Sequence, residues 1–419
     1  MPNDSGRRLY LIALAFVLAA GIFLRLPVSL FSGPGAPLAA LSGLHPNPQF
    51  EGIGFDENLY RGYVNGVIAK GLLKYSDIVD EYIEVQKTLT GSILPPMRFL
   101  YIGTAYLWHS IFGSEALAAL HNVASFFSML ALLLGTLFAW RLKGPAAALG
   151  VAALMAFAPT QLHMSQHALV DGFFAFWALL ALWLLWENLR APQDWRWLIP
   201  YTLALALMVI TKENSAFVYA AVLVILAANQ WARWGTVTRE MLACTFIGPL
   251  LGFVILVFLA GGLETLRTTY TLSVSKNYQL TYAILTGDGP WHRYLVDLML
   301  MSPLILCLAI SAGLAVLKEN KALLFLTGFV FFSYLIMCNV RYGMNLRYTT
   351  IWDFPLRALA IAQLSVLAGA FGSRKPLGMI LLLAGVCAHE LHQYVVYFKD
   401  GGLYELVTEG LLRAVKILK

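Results

Sequence analysis

The 419-residue sequence has few ionisable side chains, and those suited to chemistry recur at the ends of long apolar runs. Asp56 and Glu57 stand together in Gly-Phe-Asp-Glu-Asn-Leu-Tyr, and Asp171 follows Ser-Gln-His-Ala-Leu-Val. Lys212, Glu213 and Asn214 fill one short connection, Arg341, Arg347 and Tyr348 precede another run, and Asp288 and Arg293 lie in a longer polar stretch. Carboxylates beside fixed cations suit transfer of a group away from an anionic leaving group. A carboxylate takes the proton of the nucleophile, and the cations stabilise charge developing on a phosphate. Each residue also has a plainer use. Acids in a first helical turn are favoured by the helix dipole, a tight connection is often polar, and Arg25 near the end of the first run can snorkel to the membrane interface.

Other constellations are weaker. His163, His167 and Asp171 recur every four residues and would share one face of a continuous helix, a possible divalent-metal site, but Pro159 and the polar Thr160–Gln166 stretch predict a turn there. His389-Glu390-Leu391-His392 falls short of a zinc-protease helix, which needs histidines four apart, and position 393 is Gln. No Walker A, GxGxxG or GxSxG pattern occurs, which weighs against nucleotide-driven transport and serine hydrolysis. Cys244, Cys307, Cys338 and Cys387 lie in or beside apolar runs without CxxC spacing and read as small apolar residues.

The elements that carry these residues follow from composition. Hydrophobic residues make up 59% of the chain and charged ones 12%, against about 25% charged in soluble proteins. So few charges cannot cover a soluble core of this size, so the solvent is mostly lipid. The net charge of +6 is scattered in pairs, which argues against nucleic acid as a partner.

Long apolar stretches predict an all-α, polytopic transmembrane bundle of about eleven spans, near 9–30, 116–140, 146–162, 168–189, 197–211, 215–232, 241–263, 294–317, 321–339, 350–371 and 376–398. Basic pairs mark alternate connections: Arg7/Arg8, Arg141/Lys143, Arg190/Arg196, Arg233/Arg239, Lys318/Lys321 and Arg374/Lys375. All fall on the cytoplasmic side if residues 97–113 form a re-entrant or interfacial helix rather than a span. That assignment puts the N-terminus inside, the C-terminus outside, and the reactive residues on the external face of a multi-pass cell membrane protein. The first run also resembles a signal peptide, but it continues through Leu30 and reads as an uncleaved anchor.

The integral-membrane unit is expected over 1–398, with a large external loop at 32–96 and an external amphipathic tail at 399–419. In that loop, Leu59, Tyr60, Tyr63, Val64, Val67 and Ile68 repeat at helical spacing, so Asp56–Gly71 predicts an amphipathic juxtamembrane helix lying on the membrane. Ser76–Leu89 shows the same pattern more weakly. The tail is expected to lie on the surface through Leu403, Leu406, Val407, Leu411 and Leu412.

In their order, these features resemble the C-type membrane glycosyltransferases, in particular the dolichyl-phosphate-mannose protein mannosyltransferase-like and aminoarabinose transferase-like enzymes. The resemblance runs over most of the chain. Its carriers are Asp56-Glu57, Leu94-Pro95-Pro96 before a segment ending Ile111-Phe112-Gly113, Ala158-Pro159 followed by Asp171, Thr211-Lys212, and Arg347-Tyr348 before Pro355. It implies transfer of a sugar from a polyprenyl-phosphate donor to a lipid, glycan or protein acceptor at the outer face, with inversion at the anomeric carbon and no required cofactor. It also implies Asp56 as catalytic base, Glu57 as its support or an acceptor contact, Asp171 as a second acidic position, and Lys212 and Arg347 on the lipid phosphate. Tyr348, Arg98 and Arg341 are further candidates for that phosphate. Leu94 stands where such enzymes carry Lys or a similar polar residue, which leaves one phosphate contact to Arg98 or Lys87. The competing reading is a transporter or flippase of a lipid-linked glycan, although no inverted repeat supports it and the polar residues crowd one end of the spans.

Overall fold

Backbone N–H and C=O groups in lipid find no water, so the apolar runs must satisfy them internally as helices. The computed structural model describes residues 4–48, 52–316, 320–341 and 343–418, with no β-strand among them. The chain is an all-α, polytopic membrane protein. It begins with α1 (Asp4–Arg25), then places α2 (Phe55–Lys70), α3 (Tyr75–Thr88) and α4 (Phe99–Phe112) before the long α5 (Ala116–Lys143). Next come α6 (Pro145–Ala156), α7 (Pro159–Gln166), α8 (Val170–Arg190), α9 (Trp195–Val209), α10 (Ser215–Ala232) and α11 (Arg239–Leu259). The second polar connection holds α12 (Leu263–Asn277) and α13 (Thr281–Thr286). It leads into α14 (Arg293–Met301), α15 (Pro303–Val316), α16 (Lys321–Met337), α17 (Asp353–Ala368), α18 (Lys375–Tyr394) and α19 (Thr408–Ala414).

Among the described residues, six helical stretches are long and apolar enough to cross a bilayer, or seven if the bent pair α6 and α7 forms one span. One of the six, Leu346–Asp400, contains both α17 and α18, which separate at Gly372, whose φ is +54°. Three shorter apolar helices, α9, Pro303–Ala315 and α16, accompany them. Tyr10 meets Trp140 at 6.0 Å between ring centroids, and Arg190 and Lys321 line one cavity with Trp234. The ends marked by several of the basic pairs therefore gather at one end of the bundle; Lys318 lies outside the described residues. The ion pairs of Asp56 and Asp171 form at the other end.

Two apolar cores divide the interior. The larger joins α5 to α10 with α14 to α18, and the smaller joins α2, α3 and α4 to the first turns of α5 and α8. That smaller core changes the reading of α2. Its Tyr60, Val64 and Val67 are fully buried against protein rather than laid on lipid. The C-terminal residues likewise wedge into the protein: Leu406 and Leu411 are fully buried, and the Leu346 N–H donates to the Leu406 carbonyl at 3.0 Å. In both cases the apolar stripe meets another helix, which covers it as well as lipid does.

The Pro159 region also departs from the expected turn. Thr160–Gln166 is helical, with Pro159 at the first position of α7, where its missing N–H costs nothing. The axis bends by 56° between α6 and α7. Two buried arginines satisfy the carbonyls left open at this break. Arg25 donates to Ala156 O at 3.0 Å, Met155 O at 2.6 Å and Ser128 Oγ at 3.0 Å, while Arg357 donates to Leu154 O at 3.0 Å. Arg25 is therefore a buried cap on a helix C-terminus, where a cation is favoured, and does not snorkel.

Candidate active site

The sequence Gly-Phe-Asp-Glu starts a helix because Gly54 can take the extended N-cap conformation and Glu57 reaches back to it. The Glu57 carboxylate accepts the Gly54 N–H at 2.9 Å, half of a capping box. A side chain at Gly54 would collide with Tyr404, its Cβ falling 2.0 Å from the hydroxyl. Glu57 then points inward and is almost fully buried. It meets His121 Nε2 at 3.2 Å and His167 Nδ1 at 3.1 Å, and accepts the Ala168 N–H at 2.7 Å. Burial raises a carboxyl pKa, but the hydrogen bonds from His121 and His167 outweigh it and hold Glu57 well below the usual carboxylate range. Glu57 is thus a bracket joining α2, α5 and the α7–α8 junction.

One residue earlier, Asp56 faces the other way. Arg347 Nη1 donates to its Oδ2 at 2.8 Å, and Arg347 Nε lies 3.6 Å from Asp171 Oδ2. Lys212 Nζ completes the chain by donating to Asp171 Oδ1. Asp171 is held in the first turn of α8, and Lys212 in the turn after α9. Arg347 opens a 3-10 turn, Leu346–Trp352, whose start is capped by Asn345 Oδ1 accepting the Arg347 N–H at 3.0 Å. Tyr348 floors the cluster, with Lys212 Nζ 4.1 Å and the Arg347 guanidinium carbon 5.5 Å from its ring centroid. Burial lowers the Lys212 ammonium to about 8 despite the Asp171 carboxylate beside it.

A second pair borders this one. Arg98 donates through Nε to Glu213 Oε2 at 3.2 Å, and through its other nitrogens to Glu213 and the Tyr60 hydroxyl. The segment before Arg98 is fixed because the Leu94 carbonyl accepts the Tyr63 hydroxyl at 2.5 Å and the Pro96 carbonyl accepts that of Tyr75. Four elements distant in sequence thereby converge on two carboxylates, two cations and an aromatic face, with a further ion pair alongside.

Not every candidate joins them. Arg341 is exposed and outside the cluster, and Lys87 pairs with Glu84 on the surface at 2.8 Å. Arg293 is buried in a separate place, donating to Thr408 Oγ1 at 3.0 Å and to the carbonyls of Asp288 and Thr286. The helix break at His167 separates the proposed metal triad. His163 stacks on Phe398 and His167 meets Tyr404 edge-to-face, while Asp171 is bound by Lys212 and Arg347. Among the described residues, no group of three or more His, Cys, Asp or Glu side chains could hold a metal ion.

Some polar groups that tie the structure together escape the sequence reading. His121 reads as one polar residue in an apolar run, and nothing local links it to Glu57. Arg357 had a signal, since Asp353 lies four residues before it on the same helix. Its guanidinium bonds Asp353 at 2.5 Å and Glu390 at 2.7 Å.

Residues 98–270 match the dolichyl-phosphate-mannose-protein mannosyltransferase family. That stretch holds Arg98, Asp171, Lys212 and Glu213, and leaves Asp56 and Arg347 on either side. No curated protein matches the chain by sequence. Among solved structures, ArnT from Cupriavidus metallidurans bound to undecaprenyl phosphate superposes with a TM-score of 0.63 at 14% identity, over 94% of this chain and 71% of that one. Its apo form gives 0.54 at 14% identity, over 98% and 74%. The archaeal oligosaccharyltransferase AglB from Archaeoglobus fulgidus, in complex with an inhibitory peptide and a dolichol-phosphate, gives 0.59 at 13% identity, over 94% of this chain and 56% of its own. The chain thus spans little more than half of AglB. These likenesses establish a shared fold, and with the family match they bear out the resemblance to C-type membrane glycosyltransferases.

Proposed function

We propose that this protein is a membrane glycosyltransferase that moves a sugar from a polyprenyl-phosphate donor to an acceptor at the outer face of the membrane, with inversion. The observation that carries this reading is the row Asp56, Arg347, Asp171 and Lys212, which sets a carboxylate beside two cations able to hold a phosphate. Relatives in fold that bind undecaprenyl phosphate and dolichol-phosphate support the choice of donor.

The reaction needs little from the protein beyond positioning and charge, because a sugar phosphate already has a good leaving group. In the cluster Arg347 is balanced by Asp56. A donor phosphate that takes Arg347 and Lys212 leaves Asp56 free to act as base. The acceptor hydroxyl or amide then attacks the anomeric carbon from the face opposite the phosphate, and its proton passes to Asp56. The carbon–oxygen bond to the phosphate breaks as the new bond forms, and polyprenyl phosphate departs as an anion held by the two cations. Glu57 keeps Asp56 in place through the start of α2. No step calls on a metal or organic cofactor.

A flippase for a lipid-linked glycan is the competing function. The buried charges within the helices, Arg25 and the Arg357, Asp353 and Glu390 group, are bonded to one another or to backbone carbonyls, as structural charges are, which favours the transferase. The deciding experiment is Asp56→Asn in membranes supplied with donor lipid. Transfer should fall by about 10²–10⁴-fold, the usual range for loss of a general base, while donor binding persists. Unchanged turnover would remove Asp56 from this role.

A further inference from the structure

We infer that the segment joining α18 to α19 is a clamp that sets the contact between Asp56 and Arg347, with Tyr404, Glu405 and Leu406 as its positioning residues. The effect of the clamp on donor binding rests on the transferase reading; the clamp itself rests on contacts alone.

These three consecutive residues touch both sides of the Asp56–Arg347 pair. On the Asp56 side, the hydroxyl end of Tyr404 packs against Gly54, the N-cap of α2 two residues before Asp56, so closely that a Cβ there would collide with it. The Tyr404 ring meets His167 edge-to-face at 4.9 Å between centroids, and its carbonyl accepts from His163 Nε2 at 3.0 Å. His167 in turn meets Glu57, the carboxylate that holds the Gly54 N–H. On the Arg347 side, the Leu406 carbonyl accepts the Leu346 N–H at 3.0 Å, and Glu405 Oε2 accepts from Asn345 Nδ2 at 3.3 Å. Asn345 is buried and uses both ends of its amide, because its Oδ1 accepts the Arg347 N–H at 3.0 Å. An ionised carboxylate can accept but not donate, so Glu405 selects the NH2 edge of that amide and leaves the oxygen edge for Arg347.

The clamp is anchored at both ends. Before it, the Leu403 N–H donates to the Tyr397 carbonyl at 3.0 Å; after it, Thr408 Oγ1 accepts from Arg293 Nε at 3.0 Å. Arg293, a buried cation that the reaction does not use, also donates to the Thr286 and Asp288 carbonyls and so ties the clamp to the polar connection before α14. The need for such a hold follows from the chemistry. When a donor phosphate takes Arg347, the ion pair to Asp56 opens, and only contacts independent of that pair keep α2 and the turn before α17 in register for transfer.

Hydrogen–deuterium exchange of the full-length protein in detergent, read over the Leu346–Trp352 turn, tests the contact apart from catalysis. Glu405→Ala should raise exchange there by about tenfold, the scale of one lost hydrogen bond to a charged group, while α10 exchanges as in the wild type. Unchanged exchange in the turn overturns the inference. Undecaprenyl phosphate then probes the placement of Arg347. Glu405→Ala and Asn345→Ala should each weaken its binding several-fold and the double variant no further, because members of one hydrogen-bond network are not additive. Losses that multiply overturn the relay through Asn345. Glu405→Gln still offers Asn345 an acceptor oxygen and should recover most of the binding; a Gln variant as weak as Ala shows that charge acts instead and overturns the relay. Raised exchange with wild-type binding, in a protein that Arg347→Ala weakens, overturns the positioning role. If Arg347→Ala itself binds undecaprenyl phosphate like the wild type, the phosphate site of the transferase reading fails, and raised exchange in Glu405→Ala still upholds the clamp.

Discussion

Asp56 and Arg347, separated by 291 positions in the chain, meet at 2.8 Å, and the same guanidinium reaches within 3.6 Å of Asp171. One arginine thus bridges the two carboxylates that stand at the starts of α2 and α8. Removing its charge leaves two buried or half-buried anions facing each other, and leaves Lys212 as the remaining cation of the row to meet a donor phosphate.

Arg347→Ala should therefore raise the KM for donor by at least tenfold and also lower kcat, because Asp56 loses its partner and the departing phosphate its cation. Arg347→Lys should recover only part of this, since an ammonium cannot span Asp56 and Asp171 as the planar guanidinium does. Steady-state kinetics with a lipid-linked donor separates the two parameters. Full rescue by Lys would show that the bridge does not matter.

Lys212 sets a pH limit. With its free-enzyme value near 8, it loses its proton as pH rises from about 7 to 9, and with that its hold on phosphate. The expected kcat/KM for donor falls through an apparent pKa near 8. Lys212→Arg remains charged and should flatten that limb. A wild-type profile level across this range would show that Lys212 does not contact the donor.

Glu57 is expected to matter for shape more than for proton transfer. Glu57→Ala removes acceptors from the Gly54 and Ala168 N–H groups and one partner from each of His121 and His167, a loss of about 2 kcal/mol for buried hydrogen bonds of this kind. Thermal unfolding in detergent should drop accordingly and kcat should fall with it. Glu57→Gln, which keeps one acceptor oxygen, should retain more of both.

Arg25→Met should destabilise the protein by about 3 kcal/mol, within the range for a buried hydrogen-bonded charge removed from its partners, because three carbonyls and Ser128 lose a donor. Residual activity should persist, since Arg25 touches no member of the Asp56 cluster. Unfolding measurements on the variant, set against specific activity of the folded fraction, distinguish this from a direct role.

Much of this is legible in the sequence. Scarcity of charge forces an apolar chain into helices, the length of each apolar run places them, and a charge kept in such a chain has to have a use. That reasoning finds Asp56, Asp171, Lys212 and Arg347, and the positions of α2 and α3. Local pattern could not say what an apolar stripe packs against, because Tyr60 and Val64 fit lipid or protein equally well, and the same holds for Leu406 and Leu411. Nor could it say which charges meet. Four residues spread over 291 positions become neighbours only through the packing of α2, α8 and the turns after α9 and before α17. The metal triad failed for the same reason in reverse: its four-residue spacing needs one continuous helix, and the break between α7 and α8, which points His167 at Glu57 and Asp171 at Lys212, exists only in the folded chain, where two distant arginines cap the end of α6 just before it.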